Sequence, residues 1–515
     1  MKRPPLKTAL SSPSPTPFLL TSLFLSGATS LVLELVGARL VSPFYGSSIY
    51  TWSALITTTL IALAAGYAWG GRLADRDPHL TLFARLLLAA GLTAAVIPVL
   101  REQVLRASAP LGVKLGAMTA AALLVGPTLA LLGTLGPIAT RVTATGAFDA
   151  GRRSGDAWAL STAGSVAGAA LTGFVLIPHW PCSKILFAAA ALLIALGAWG
   201  TWQSAKRLPL AELSACAACL ALAVRAQDAP HGAVLKRTES LYGRIEVLEA
   251  GPKRYLLVNG TAQSAMDSAS GLSDSEYDRA AEWALALRPG ARNVLALGLG
   301  AGLLPTALER AGLTVDAVEI DPEIVRTARD FFGYAPKGRV LIDDGRSALE
   351  SDAGRRWDLM ILDAFGSESP PSHLFTENAF TRMRESLAPG GVLTVNLVTM
   401  LSGRAGDPWR ATYKTLERVF PNVRAFVAAD PSDGLSNVLF FASTGPLEAP
   451  AAAAPPGARQ DVAAMLAREL IPAPADLSGV PSMTDDHAPL EFLLAATAVR
   501  WRRLLQKGMG EVLLR

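Results

Sequence analysis

Before about residue 225 the chain repeats one pattern: apolar stretches near twenty residues long, joined by short loops that carry most of the basic residues. The stretches fall at about 18–42, 50–70, 80–100, 115–137, 158–178 and 183–202. An α-helix rises about 1.5 Å per residue, so about 20 apolar residues cross the hydrocarbon of a bilayer. Six such segments predict a bundle of membrane-spanning helices. A seventh, LPLAELSACAACLALAV at 208–224, is shorter and holds Glu212, so it spans, lies in the interface or re-enters. The basic, apolar N-terminus has the outline of a signal peptide. It is too long for one, carries Glu34 and is followed by more of its kind, which makes it a first spanning helix.

The chain is 51% hydrophobic and only 17% charged, and the excess lies in this first part. Its net charge of +4 does not point to nucleic acid, because the basic residues sit in loops, where they set topology. Lys2, Arg3 and Lys7, then Arg72 and Arg76, Arg141, Arg152 and Arg153, and Lys206 and Arg207 fall on one side. That side is cytoplasmic by the positive-inside rule, and six spans then leave the rest of the chain in the cytoplasm, at the inner membrane of a bacterial cell. Cys182, Cys216 and Cys219 form no disulfide framework and no metal set, and read as small buried residues. Within the bundle, Glu34 and Arg39 suit a structural pair, and Gly164, Gly168 and Gly173 suit close helix packing.

From residue 231 the pattern changes. Short alternating runs broken by Gly-Pro-Lys and Asn-Gly predict a small antiparallel sheet. Then NVLALGLGAGLLPTALERAGLTVDAVEIDPEIVRTARDFFG reads strand, glycine turn, helix, strand, helix, and RVLIDDG, WDLMILDAF and GVLTVNLV continue as buried strands. The fold class is thus an α-helical transmembrane bundle followed by an α/β Rossmann-like domain of the S-adenosylmethionine-dependent transferase type, with a small N-terminal β-sheet. Its divisions are 1–226, 231–285 for the small sheet, 286–447 for the Rossmann-like part, and 448–515 for a linker and C-terminal segment.

Four consecutive strand ends carry chemistry. Gly298, Gly300 and Gly302 let the backbone turn sharply against a ligand, Glu319 is placed to accept from two ribose hydroxyls, Asp344 to meet an adenine edge, and Asp363 ends the fourth strand. The ligand is either a dinucleotide or an adenosyl sulfonium compound. The missing sixth-position glycine, where Leu303 precedes Leu304 and Pro305, favours the sulfonium.

From about 238 to 398 the chain resembles the spermidine synthase family of polyamine aminopropyltransferases, and the whole chain resembles its membrane-fused bacterial branch. The resemblance rests on ESLYGRIEV, VNGTAQS, EYDRAAEWALAL, VEIDPEIV, DDGRSAL and DLMILDAFGSESPPSHLFTENAFTRMRESLAPGGVL, with SGATSLVLELVGARLVSPFYGSS and GGRLADR in the apolar part. It implies a decarboxylated S-adenosylmethionine donor held by the glycine turn, Glu319, Asp344 and Gln263, and an aminopropyl group passed to putrescine or another amine. Asp363 would take the proton from that amine. Tyr242, Tyr277 and Glu368 are the candidate acceptor contacts. No resident cofactor, metal or nucleic-acid partner is implied, and a homo-oligomer is left open.

The chain also departs from the family. Ala301 and Gly366 replace two aspartates, Gly243 follows Tyr242 where a glutamine is usual, and Tyr277, Asp278 and Arg279 replace tyrosine, histidine and glutamate. Two rivals therefore stay open: a methyltransferase using S-adenosylmethionine on a lipid-soluble acceptor, and a transporter or sensor with a nucleoside- or polyamine-binding domain. TDDHAPLEFLL gathers Asp485, Asp486, His487 and Glu491, either at the site rim or as a helix cap, and VRWRRLLQKGMGEVLLR is a basic amphipathic tail.

Overall fold

The computed structural model describes residues 17–46, 49–76, 78–144, 147–205, 210–225, 234–281, 283–366, 369–428, 434–447, 466–498 and 500–501. The chain divides into two compact units, with the boundary at Asp228 and Ala229. The linker 448–460 and all of the amphipathic tail beyond Trp501 lie outside the described residues.

In the first unit five helices are long and apolar enough to cross a membrane: Pro17–Ser42, Tyr50–Arg76, Leu80–Leu111, Asp149–His179 and Cys182–Ser204. The stretch expected to span at 115–137 is instead a pair, Lys114–Leu124 and Gly126–Thr143, bent by 53°. Gly126 and Pro127 explain the bend, because proline supplies no N–H for the helix ladder and its ring crowds the preceding turn. Counting the pair as one gives six helical segments long and apolar enough to cross a membrane. The seventh candidate is a shorter apolar helix, Leu210–Leu222.

Small residues let two of these helices meet at backbone distance. A Cβ on Gly164 would lie 1.8 Å from the carbonyl oxygen of Phe24, and one on Gly168 would lie 2.4 Å from that of Ala28, whereas Gly173 has nothing within 4 Å. The Ser165 hydroxyl donates to the Gly27 carbonyl at 3.0 Å across the same contact. Gly164 and Gly168 are thus packing residues, and Gly173 is not.

The second unit begins with a four-stranded antiparallel sheet in the order β1 (Val234–Glu239), β2 (Arg244–Ala250), β3 (Lys253–Val258), β4 (Thr261–Asp267). Asn259 and Gly260, both at positive φ, make the tight turn between β3 and β4 that matches strand twist. The larger sheet contains β5 (Asn293–Leu297), β6 (Thr314–Glu319), β7 (Val340–Ile342), β8 (Trp357–Leu362), β9 (Leu387–Met400), β10 (Asn422–Val427), β11 (Leu435–Ser443) and β12 (Glu469–Leu470). Their order is β12-β10-β11-β9-β8-β5-β6-β7. Strands β9 to β7 along that order pair in parallel; β10, β11 and β12 add antiparallel.

The runs β5, β6 and β8 are buried on both faces because helices cover the sheet on each side, which is why they read as unbroken apolar stretches. The small sheet packs Ile245, Val247 and Leu256 against Ala301, Leu303, Ile324 and Phe332. Chain order reverses between β5 and β8, and a crevice opens there at the carboxyl ends of the strands.

Candidate active site

The turn after β5 brings backbone against backbone. Gly298 has φ +97°, and a Cβ there would lie 2.1 Å from the carbonyl oxygen of Asp363. The Asp363 amide donates to the Leu297 carbonyl at 2.9 Å, so β5 and β8 end side by side. Gly302, at φ +73°, lies against the Tyr334 ring and begins the helix Leu303–Arg310. Gly298 and Gly300 line the cavity at this rim; Gly302 does not, and serves the packing of the turn.

Glu319 ends β6 with both carboxylate oxygens engaged. One accepts from the Leu299 amide at 3.1 Å and the other from the Asp321 amide at 3.0 Å. Burial pushes its carboxyl up to about 7, with those amides opposing the rise. It is thereby aimed across the glycine turn and still has lone pairs for hydroxyl donors.

Asp344, just beyond β7, caps the helix Gly345–Ser351. Its Oδ1 accepts from the amides of Arg346 at 2.9 Å and Ser347 at 3.3 Å, and its Oδ2 lies 2.9 Å from His373 Nε2. Burial opposes ionisation, but the His373 contact and the two amides outweigh it and hold the carboxyl below its ordinary value. Of the late acidic cluster, Asp485 reaches this corner. It accepts from Arg346 at 2.8 and 2.7 Å and from the Thr376 hydroxyl at 2.7 Å, which ties the C-terminal segment to the start of the same helix.

Asp363 is half-buried beyond the end of β8. The Tyr277 hydroxyl donates to Oδ2 at 2.9 Å and the Asn396 amide to Oδ1 at 2.8 Å. Asn437 donates in turn to the Asn396 oxygen at 3.0 Å, which fixes the orientation of that amide. Burial raises the Asp363 carboxyl, with the Asn396 and Tyr277 bonds pulling the other way, while burial and two neighbouring aspartates drive the Tyr277 hydroxyl well above its usual range. Asp363 is thus an acceptor between two donors that do not titrate near neutrality. A carboxylate held this way takes up a proton more readily than one in water.

Two cavities meet at Asp363. The first, about 300 Å³, is lined by Tyr242, Gln263, Gly298, Gly300, Glu319, Asp344 and apolar side chains including Leu299, Ile320 and Leu374. The second, about 470 Å³, is lined by Asn396, Asn437, Phe365 and Trp501 among others, and Gln263, Ser264, Tyr277, Asp363 and Phe365 border both. Of the expected acceptor contacts, Tyr277 stands between the cavities, Tyr242 stands on the first, and Glu368 lies outside the described residues. Asn396, Asn437, Ser264, His373 and Trp501 were not anticipated.

The departures differ in origin. Ala301 is buried in the apolar contact beneath the small sheet, where an acid would be desolvated, and its amide donates to the Ser264 hydroxyl at 3.1 Å. A Cβ on Gly243 would lie 2.7 Å from the Asn259 side chain, so no larger residue fits without displacing that amide. At Gly366 the nearest atom to a Cβ is 3.8 Å away, and an acid there would be sterically tolerated.

Residues 277–443 match the model of the Spermine/spermidine synthase domain. A probable polyamine aminopropyl transferase of Bifidobacterium longum is 30% identical over 198 residues, 38% of this chain and 44% of that protein. An N-terminal histidine N-methyltransferase of Emericella nidulans is 28% identical over 160 residues, 29% of this chain and 27% of that protein. The matched stretches thus span less than half of either curated relative. A probable spermidine synthase from Corynebacterium glutamicum of known structure superposes with a TM-score of 0.40 at 21% identity, covering 50% of this chain and 97% of that one.

Proposed function

We propose that the chain is a membrane-bound aminopropyltransferase that uses decarboxylated S-adenosylmethionine as donor, with Asp363 as the base. One observation carries the choice of donor. The described residues lining the first cavity include the carboxylates of Asp278, Glu319, Asp321, Asp343, Asp344 and Asp363, and neither Lys nor Arg. A sulfonium bearing a second, ammonium charge suits that wall. The α-carboxylate of S-adenosylmethionine would meet acids there and no fixed cation.

In this reading Glu319 accepts from the ribose hydroxyls and Asp344 from the adenine amino group, while Gly298 and Gly300 admit the nucleoside against the turn. An acceptor ammonium in the second cavity gives a proton to Asp363. Its freed lone pair forms a bond to the aminopropyl carbon attached to sulfur. The C–S bond breaks with its electron pair going to sulfur, the sulfonium becomes a neutral thioether, and 5′-methylthioadenosine leaves. Tyr277 and Asn396 hold the Asp363 carboxylate in place for that proton transfer.

The five long apolar helices, and the basic loops between apolar segments, support placement in a bacterial cell membrane with the globular unit on the cytoplasmic side, where nucleoside donors are made. Titration calorimetry of the purified full chain tests the donor. Decarboxylated S-adenosylmethionine should bind at least about tenfold tighter than S-adenosylmethionine. The reverse preference would establish the methyltransferase alternative, and tight binding of the decarboxylated donor without turnover on any amine would favour the sensor alternative.

A further inference from the structure

Tyr242, expected to touch the acceptor, lines the first cavity, from the loop between β1 and β2. Hydrogen bonds fix that loop from two sides. The Ser240 amide donates to the Gly243 carbonyl at 2.8 Å, which closes a tight turn over Leu241 and Tyr242. The amides of Tyr242 and Gly243 both donate to the Ser240 hydroxyl at 3.1 Å, and that hydroxyl donates to Asp321 Oδ2 at 2.5 Å. Asp321 caps the helix Pro322–Phe332, and its own amide donates to Glu319 at 3.0 Å. A chain of hydrogen bonds thus runs from the Tyr242 backbone to the carboxylate assigned to the ribose. On the other side the Arg244 amide donates to Asn259 Oδ1 at 3.0 Å, and a Cβ on Gly243 would meet the same side chain.

The loop is held, yet the side chain is not packed away: Tyr242 is 49% exposed at the cavity. Burial and then the charges of Asp321, Asp344, Glu319 and Asp343 push its hydroxyl up. Those four carboxylates lie at and just beyond the ends of β6 and β7, so the ring stands over the corner assigned to ribose and base. An aromatic face carries a negative quadrupole and gains nothing from neighbouring carboxylates. A flat nucleoside laid against it does gain, because ring and ligand lose water together. From this placement we infer that Tyr242 is a donor-binding residue: its ring covers the nucleoside that Glu319 and Asp344 hold and closes the first cavity on the side of the small sheet. The inference rests on the reading of the first cavity as the donor site.

The test is titration calorimetry of the purified full chain with 5′-methylthioadenosine, whose neutrality isolates the ring contact from charge attraction. Tyr242→Ala should weaken the Kd about tenfold, the usual worth of stacking on an aromatic ring. Tyr242→Phe keeps the ring and should stay within about threefold of wild type. At saturating donor, the KM for putrescine in Tyr242→Ala, read by release of 5′-methylthioadenosine, should stay within about twofold of wild type. An unchanged Kd in Tyr242→Ala overturns the inference, and a raised KM for putrescine alongside it returns Tyr242 to the acceptor. Equal losses in the Phe and Ala variants also overturn it, because the hydroxyl and not the ring would then hold the nucleoside. A wild-type chain that binds no 5′-methylthioadenosine overturns the donor reading and this inference with it. Wild-type binding that weakens in Glu319→Gln but not in Tyr242→Ala overturns this inference alone.

Discussion

Protonation of Glu319 should gate nucleoside binding near neutral pH. Its carboxyl is raised to about 7 because burial outweighs the two amides that favour its charge. Ribose hydroxyls bond an ionised carboxylate more strongly than a neutral carboxyl, so the tight-binding fraction falls as pH drops through that value. At pH 6, one unit below, about one-tenth of the protein is ionised at this position, and the apparent Kd should be about tenfold weaker than at pH 8.5. The neutral ligand 5′-methylthioadenosine isolates this effect from charge attraction in the rest of the cavity. Calorimetry between pH 5.5 and 9 should therefore give a Kd that tightens through about 7 and then levels. In Glu319→Gln the same curve should be flat and, at pH 8.5, weaker by about 2 kcal/mol, the worth of a hydrogen bond to a charged group.

Stability should move the opposite way. The folded-state value lies above the ordinary 4.5, so the native protein binds more protons than the unfolded chain between about 4.5 and 7. The favourable contribution of the protonated group is complete below 4.5 and is lost as pH rises through 7, a change of about 3 kcal/mol over the range. Glu319→Gln, which stays neutral, should gain stability relative to wild type across that window in thermal melts. A wild-type Kd that does not change between pH 6 and 8.5, or a Gln variant with wild-type affinity at pH 8.5, would refute the reasoning.

Asp363→Asn should lower kcat by about 10²–10⁴, the usual worth of a positioned base, in the methylthioadenosine-release assay. Tyr277→Phe removes the hydroxyl that donates to Asp363 at 2.9 Å; the base then ionises at higher pH, and the acid limb of the kcat profile should move upward in pH. Gly298→Ala places a Cβ 2.1 Å from a backbone oxygen at a φ of +97°, and thermal melts should show a loss of about 3 kcal/mol or more. In the apolar unit, Gly168→Leu should lower the melting temperature in detergent by several degrees, about 2 kcal/mol, because the Ala28 carbonyl blocks it, whereas Gly173→Leu should leave it unchanged.

Much of this arrangement is legible in the sequence, for a physical reason. Parallel strands covered on both faces read as unbroken apolar runs, so the polar residues that close each run mark the rim of the sheet, which is how Glu319, Asp344 and Asp363 stand out. Asn396 was hidden by the same rule. It lies inside the run GVLTVNLVTM, and a polar residue buried within a strand is the signal that could have found it. Asn437 and Trp501 join the site through pairing of β11 with β9 and through the path of the C-terminal segment, neither of which is written in local sequence. The bend after Leu124 was written there, in Gly126-Pro127, but hydropathy averages over such a break. Ala301 illustrates a different limit: its burial under the small sheet follows from contacts between two distant segments, so sequence marks the lost acid without showing what replaced its role.

The central claim is the identity of the group transferred. Mass spectrometry of the amine product formed by the purified full chain, supplied with an equal mixture of S-adenosylmethionine and its decarboxylated form, measures it directly. The account predicts an acceptor carrying an aminopropyl group, with 5′-methylthioadenosine released in equal amount and both lost in Asp363→Asn. An acceptor carrying a methyl group, with S-adenosylhomocysteine as the released nucleoside, would contradict it.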